Sequence, residues 1–161
     1  MEKLTDAVAD YLELQIESGA DAVQIFDSMG GCLPPSHYNA ASGKWIAEIV
    51  SRLADKAPVI LFSRGTLGSF DQLVETRAPF LSVDWTTDLG EVRTRIPDGM
   101  GLQGNLDPAC LLAGPEATRR ATRALAAAVP ARGHVMNLGH GLHPQTPRES
   151  IEALIETGHA E

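Results

Sequence analysis

The side chains able to do chemistry gather in short polar, glycine-rich turns, each following an apolar run. They read Asp27-Ser28-Met29-Gly30-Gly31, Ser63-Arg64-Gly65, Asp84-Trp85-Thr86, Gly104-Asn105-Leu106-Asp107-Pro108 and Asn137-Leu138-Gly139-His140-Gly141-Leu142-His143-Pro144. Together they supply hydroxyls, carboxylates, a guanidinium and imidazoles. Ser28 with His140 suggests acyl transfer, but Gly-x-Ser-x-Gly is absent and no strand-turn-helix elbow surrounds the serine, so an ordinary turn residue bonding backbone amides competes with any chemical role. His134, His140 and His143 invite a zinc site. Geometry opposes it, because His134 and His140 stand at opposite ends of one short run and the glycines beside His140 favour a tight loop over a rigid ligand platform; no metal is expected. Gly99-Met-Gly101-Leu-Gln-Gly104 matches the dinucleotide pattern literally, yet its glycines fall in and around a strand and no acidic residue follows at the ribose distance. Asp107, directly before Pro108, reads as a helix cap. Asp84 closes an apolar strand and points either into a site or toward a neighbouring loop; its role, like those of Asp107 and Arg64, stays open at this level.

The elements that must carry these turns follow from periodicity. Leu4, Ala7, Val8, Tyr11 and Leu12 share one helical face, with Gly19 as the stop, and Ala22–Phe26 is a β-prone run. Trp45, Ile46, Ile49, Val50 and Leu53 form a second amphipathic helix, followed by the strand Pro58–Phe62. Ser69 with Gln72, Asp88 with Glu91, and Thr146 with Glu149 have capping-box spacing, and Phe80–Asp84 is a third strand. A brief strand at 101–104 precedes a helix opened by Pro108. Ala117, Ala121, Leu125, Ala128 and Val129 are expected to line the inner face of the next helix, with Arg119, Arg120 and Arg123 outside. The fifth strand is His134–Leu138, and Ile151, Leu154 and Ile155 belong to a last helix.

Strands alternating with helices are the rhythm of parallel βα units with right-handed crossovers, in which function sits at the carboxyl ends of the strands. The chain has 161 residues. A closed (β/α)₈ barrel takes about 250 residues, so the chain is about 0.64 of that length against about 0.63 for five of eight units. An open doubly wound sheet of five strands matches the count equally well. With 43% hydrophobic residues and a mean hydropathy of −0.07 the chain has material for a core and reads as one domain over 1–161. Thirteen basic against 21 acidic residues give a net charge of −8, which argues against a nucleic-acid partner. No apolar run approaches the roughly 20 residues of a membrane span and Met1-Glu-Lys-Leu-Thr-Asp lacks a secretory core, so a cytoplasmic protein is expected. Cys32 and Cys110 are too isolated for a disulfide framework or a zinc ribbon.

Taken together, Gln24-Ile-Phe-Asp-Ser28-Met-Gly-Gly, Val83-Asp-Trp85, Leu102-Gln-Gly-Asn-Leu-Asp-Pro108 and Asn137-Leu-Gly-His-Gly141-Leu-His-Pro resemble the C-terminal part of the uroporphyrinogen decarboxylase family. The resemblance covers nearly the whole chain. Departures are modest: Met29 replaces the tryptophan usual in bacterial members, and Ser63-Arg-Gly replaces a lysine-bearing turn while keeping one cation. The resemblance implies an α/β fold, a partial TIM (β/α)₈ barrel of about five C-terminal βα units, in a family that is usually homodimeric. It further implies decarboxylation of the four acetate side chains of the tetrapyrrole uroporphyrinogen III to give coproporphyrinogen III, without metal or organic cofactor. Residue by residue it assigns Ser28 as a hydrogen-bond donor to a substrate carboxylate, His140 as a second substrate contact and Phe26 as apolar packing against the macrocycle. The family's carboxylate facing the pyrrole nitrogens and its arginine-rich segment belong to its N-terminal half, so no catalytic acid is assigned in this chain. Two alternatives accompany this reading. One is a zinc- and corrinoid-linked methyltransferase of the same superfold, whose His-x-Cys position is occupied here by Leu61-Phe-Ser63; the other is a catalytically inactive truncated half-barrel.

Overall fold

The computed structural model describes residues 1–160, which fold as two compact units, Met1–Leu81 and the residues from Ser82 onward. Five strands alternate with helices along the chain, and the α/β class expected from periodicity is what forms.

The first unit opens with α1 (Glu2–Glu17), which ends at Ser18 with Gly19 at φ +102°, the left-handed stop. Strand β1 (Val23–Asp27) follows, then α2 (Pro35–Tyr38), a wide turn over 39–43 and α3 (Lys44–Leu53). Strand β2 (Val59–Ser63) pairs parallel with β1, Phe26 opposite Phe62 and Asp27 opposite Ser63. Helix α4 (Phe70–Glu75) and strand β3 (Phe80–Val83), which spans the division between the units, complete it. Ile46, Ile49, Val50 and Leu53 of α3 are buried as their spacing requires. Each such side chain stabilises the fold by about 1.5–3 kcal/mol.

Helix α1 departs from expectation. It buries Thr5, Ala9 and Leu12, while Leu4 and Tyr11 are 57% and 63% exposed. The flank of α1 carrying Asp6, Asp10 and Glu13 pairs with Arg52 of α3 and with Lys56 just beyond it. The Leu4, Val8 and Tyr11 side instead lines an open cavity of about 530 Å³ along β1, with Phe26 and Trp45 on its other walls. Strand β1 is an edge strand, with β2 as its sole neighbour. The expected Ser69–Gln72 capping box is also absent: Ser69 makes no side-chain cap bond, and the Gln72 amide donates to the Pro35 carbonyl at 3.1 Å instead.

The second unit contains α5 (Leu89–Arg95), β4 (Gly101–Gln103), α6 (Pro108–Leu112), α7 (Pro115–Ala128), β5 (His134–Val135) and α8 (Arg148–Ala160). Strands β4 and β5 pair parallel, and a further bridge joins Leu106 to Leu138, so the regular fifth strand is shorter than the His134–Leu138 run. Asp88 caps α5 through the Glu91 amide at 2.9 Å and Asp107 caps α6 through the Ala109 amide at 2.8 Å. Of the expected inner face of α7, Ala121 and Leu125 pack on the core and Val129 is buried, while Ala128 is exposed; the most deeply buried positions of the helix are Thr118 and Thr122 beside them. Those threonines tolerate full burial because their hydroxyls donate to the Gly114 and Thr118 carbonyls one turn back, at 3.0 and 2.9 Å. Thr146 does not cap α8; its hydroxyl is buried without a partner. The core here is Leu106, Leu111 and Leu138, packed by Leu125, Ile151 and Leu154.

Candidate active site

The turn after β1 carries two of the expected substrate contacts. Alternation along the strand puts Phe26 on one face and Asp27 on the other. Phe26 is 69% exposed and tilts against the Phe62 ring at 5.9 Å between centroids. Ser28 lies exposed at the tip beside Met29. An apolar ring and a hydroxyl thus stand side by side at the carboxyl end of β1, able to pack against a flat apolar ligand and to hydrogen-bond a polar group on its edge.

The Asp27 side chain turns inward. Its Oδ2 accepts hydrogen bonds from the Tyr38 hydroxyl at 2.7 Å and the Ser63 hydroxyl at 3.3 Å. Tyr38 is completely buried, and its phenol is pushed well above the ordinary tyrosine range, first by that burial and then by the Asp27 carboxylate it bonds. The backbone closes the turn. The Gly31 amide donates to the Arg64 carbonyl at 3.0 Å, and a Cβ on Gly31 would come within 2.6 Å of that same oxygen. Arg64 is exposed on the adjoining turn, where the Arg64 amide reaches the Asp27 carbonyl at 3.4 Å.

In the second unit His140 is exposed and meets Trp85 edge-on, ring centroids 5.9 Å apart at 87°. Close packing of Gly139 makes that contact possible: a Cβ there would lie 2.4 Å from the Trp85 amide nitrogen. Asp84 is held from its own turn. It is 2% exposed, and its Oδ1 accepts from the Thr86 amide at 2.9 Å and from the Thr86 hydroxyl. The Asn105 amide donates to the Asp84 carbonyl at 2.9 Å and the Thr87 carbonyl at 2.6 Å, tying the strand-end turns of this unit together. The His134 ring is engaged with the Gly104 carbonyl at 2.7 Å, a structural contact at the strand start. Among the described residues no three His, Cys, Asp or Glu side chains gather as a metal ion would need.

Sequence reasoning missed Tyr38, Asn105 and the inward role of Asp27. Asp27 carries a signal of the same kind as Asp84, a carboxylate closing an apolar strand. Tyr38 carries none, since it falls in the irregular stretch between β1 and α3 where no periodicity announces burial.

Residues 1–161 match the family described as Uroporphyrinogen decarboxylase (URO-D). Among curated relatives, the uroporphyrinogen decarboxylase of Hahella chejuensis is 42% identical over 165 residues, taking in 99% of this chain and 46% of the relative. That of Saccharophagus degradans is 44% identical over 96% of the chain and 46% of its own length, and that of Coxiella burnetii 39% identical over 97% and 45%. The chain therefore spans about half the length of the curated relatives it matches.

Proposed function

The chain belongs to the uroporphyrinogen decarboxylase family, and from that membership we propose that it forms the C-terminal, substrate-contacting part of a uroporphyrinogen decarboxylase barrel, a carboxy-lyase acting on uroporphyrinogen III. Ser28 donates a hydrogen bond to an acetate or propionate carboxylate, Phe26 packs on the macrocycle, and His140, backed by Trp85, makes the second polar contact. The observation that carries the reading is identity of about 40% across the whole chain to relatives that bear that name.

In each of the four decarboxylations a proton adds to a pyrrole carbon, and the cationic ring accepts the electron pair of the breaking C–C bond as carbon dioxide leaves. A proton then completes the new methyl group while the ring proton departs, restoring the pyrrole. The enzyme's task is to hold the acetates in place, stabilise the cation and supply protons. This chain's residues serve the first task. The cation-stabilising carboxylate and the arginines that grip substrate belong to a complementary N-terminal segment, in keeping with a net charge of −8 facing a substrate of eight carboxylates. The open cavity on the edge strand β1, with Leu4 and Tyr11 exposed along it, offers the seat for an added βα unit. Residues 1–161 act as one segment of that barrel, in a cytoplasmic homodimer, with no nucleic-acid partner.

The test is coexpression of the chain with the N-terminal half of the Hahella chejuensis relative, following coproporphyrinogen III formation from uroporphyrinogen III. Product formed only when both pieces are present is expected. A reconstituted pair that folds and binds no porphyrin would refute the assignment.

A further inference from the structure

Ser28 and Met29 are exposed between two fixed points. At one end Asp27 is held through Oδ2 by Tyr38 at 2.7 Å and Ser63 at 3.3 Å. At the other, Gly31 is seated on the Arg64 carbonyl, with room for no side chain. Gly30 is buried between them, and a Cβ on it would lie 2.4 Å from Asp27 Oδ2 and 2.9 Å from the Thr66 methyl. The carboxylate thus fills the space under the turn as well as bonding it. Tyr38, at 0% exposure, has no access to water, so its hydroxyl must be bonded within the fold; its short donation goes to Asp27 at 2.7 Å, with the Ser63 and Ser42 hydroxyls also in hydrogen-bonding reach. A hydrogen bond to a carboxylate at this distance belongs to the strong, charge-assisted class.

We infer that Asp27 and Tyr38 form a positioning pair that clamps the Phe26–Gly31 turn from beneath, presenting the Ser28 hydroxyl and the Phe26 ring to substrate in one fixed arrangement. Asp27 is a positioning residue and not the acid of the reaction, despite standing next to the substrate-facing serine. The pair lies on the opposite face of β1 from Phe26, so it acts through the backbone. Holding the turn before substrate arrives removes an ordering cost that binding would otherwise bear. The role assigned to the clamp rests on the proposed function, whereas the clamp itself does not.

Two readouts, exchange on the chain and porphyrin binding by the reconstituted pair, separate these. Amide hydrogen exchange at Gly31, Cys32 and Leu33 reports the turn, because those amides bond the Arg64, Met29 and Gly30 carbonyls. Fluorescence titration of the chain reconstituted with the N-terminal half of the Hahella chejuensis relative, which supplies the substrate-gripping cations, with uroporphyrin III, the stable oxidised octacarboxylate, reports presentation of Ser28 and Phe26. Tyr38→Phe and Asp27→Ala are expected to speed exchange at the three amides about tenfold and to weaken porphyrin binding about tenfold, the worth of one such hydrogen bond. Asp27→Asn keeps an acceptor for Tyr38 and should stay within about threefold of the parent. Amides of α8 serve as the reference for global stability. Should Tyr38→Phe fail to fold, Ser63→Ala removes the weaker hydroxyl and should speed exchange about twofold to threefold. Turn amides that follow the α8 amides in every variant overturn the clamp. Equal porphyrin affinity in the reconstituted parent and Tyr38→Phe overturns its service to substrate, and a reconstituted parent that folds and binds no porphyrin refutes the functional reading while exchange on the chain still decides the clamp.

Discussion

At the scale of single residues, the strand-end turns are shaped by glycines and inward-facing polar groups. Gly139→Ala should be severe, because its methyl would land 2.4 Å from the Trp85 backbone nitrogen, which cannot move aside as a flexible side chain can. A loss of about 2–4 kcal/mol, read from the urea midpoint, is expected, together with loss of the Trp85–His140 edge contact. Tyr38 has an alkaline signature. Its pKa is raised in the fold by burial first and by Asp27 second. Below the ordinary tyrosine pKa of about 10 both folded and unfolded states hold the proton, so its contribution is intact there. Above it the unfolded chain loses the proton while the folded chain keeps it, and stability falls as pH rises toward the folded value. The parent should therefore lose stability between about pH 9.5 and 11 more steeply than Tyr38→Phe, the difference between the two urea-midpoint profiles isolating this group.

At the scale of elements, the contact between α1 and α3 sets buried apolar packing beside exposed ion pairs. Leu53 is 0% exposed, and Leu53→Ala should cost about 2–5 kcal/mol. Arg52 reaches Asp6 at 3.1 Å and Asp10 at 2.6 Å, but the two carboxylates are 65% and 69% exposed. Arg52→Ala should cost less than about 1 kcal/mol, and the difference from the parent should shrink in 0.5 M salt. Thermal or urea unfolding of both variants checks the order. Capping shows how local spacing can mislead within an element. The Asp88 and Asp107 carboxylates cap their helices, whereas the Gln72 amide is drawn to the Pro35 carbonyl and the Thr146 hydroxyl is buried without a partner.

At the scale of the whole molecule, the exposed Leu4 and Tyr11 mark surface made to be covered. Adding the complementary N-terminal segment should protect α1 and β1 amides from hydrogen exchange and lower the chain's tendency to self-associate, measured by light scattering. Introducing Leu4→Lys with Tyr11→Lys should weaken assembly with that segment by about tenfold or more while leaving the fold of the first unit intact, because both side chains already face solvent.

Much of this organisation was legible in the sequence. Period-2 and period-3.6 patterns placed the strands and principal helices, Asp107-Pro108 announced a cap and a helix start, and the four motifs carried the family. These depend on neighbours along the chain, where geometry is set by a few covalent bonds. Which flank of α1 turns inward, and that two threonines of α7 are buried beside its expected alanine and leucine face, was decided only in three dimensions, because a threonine can be buried once its hydroxyl bonds the preceding turn, and an apolar stripe stays exposed where nothing packs on it. Tyr38 became the support of the serine turn for the same reason: a contact between residues from different elements leaves no periodic trace, and it exists only after β1, β2 and α2 have packed.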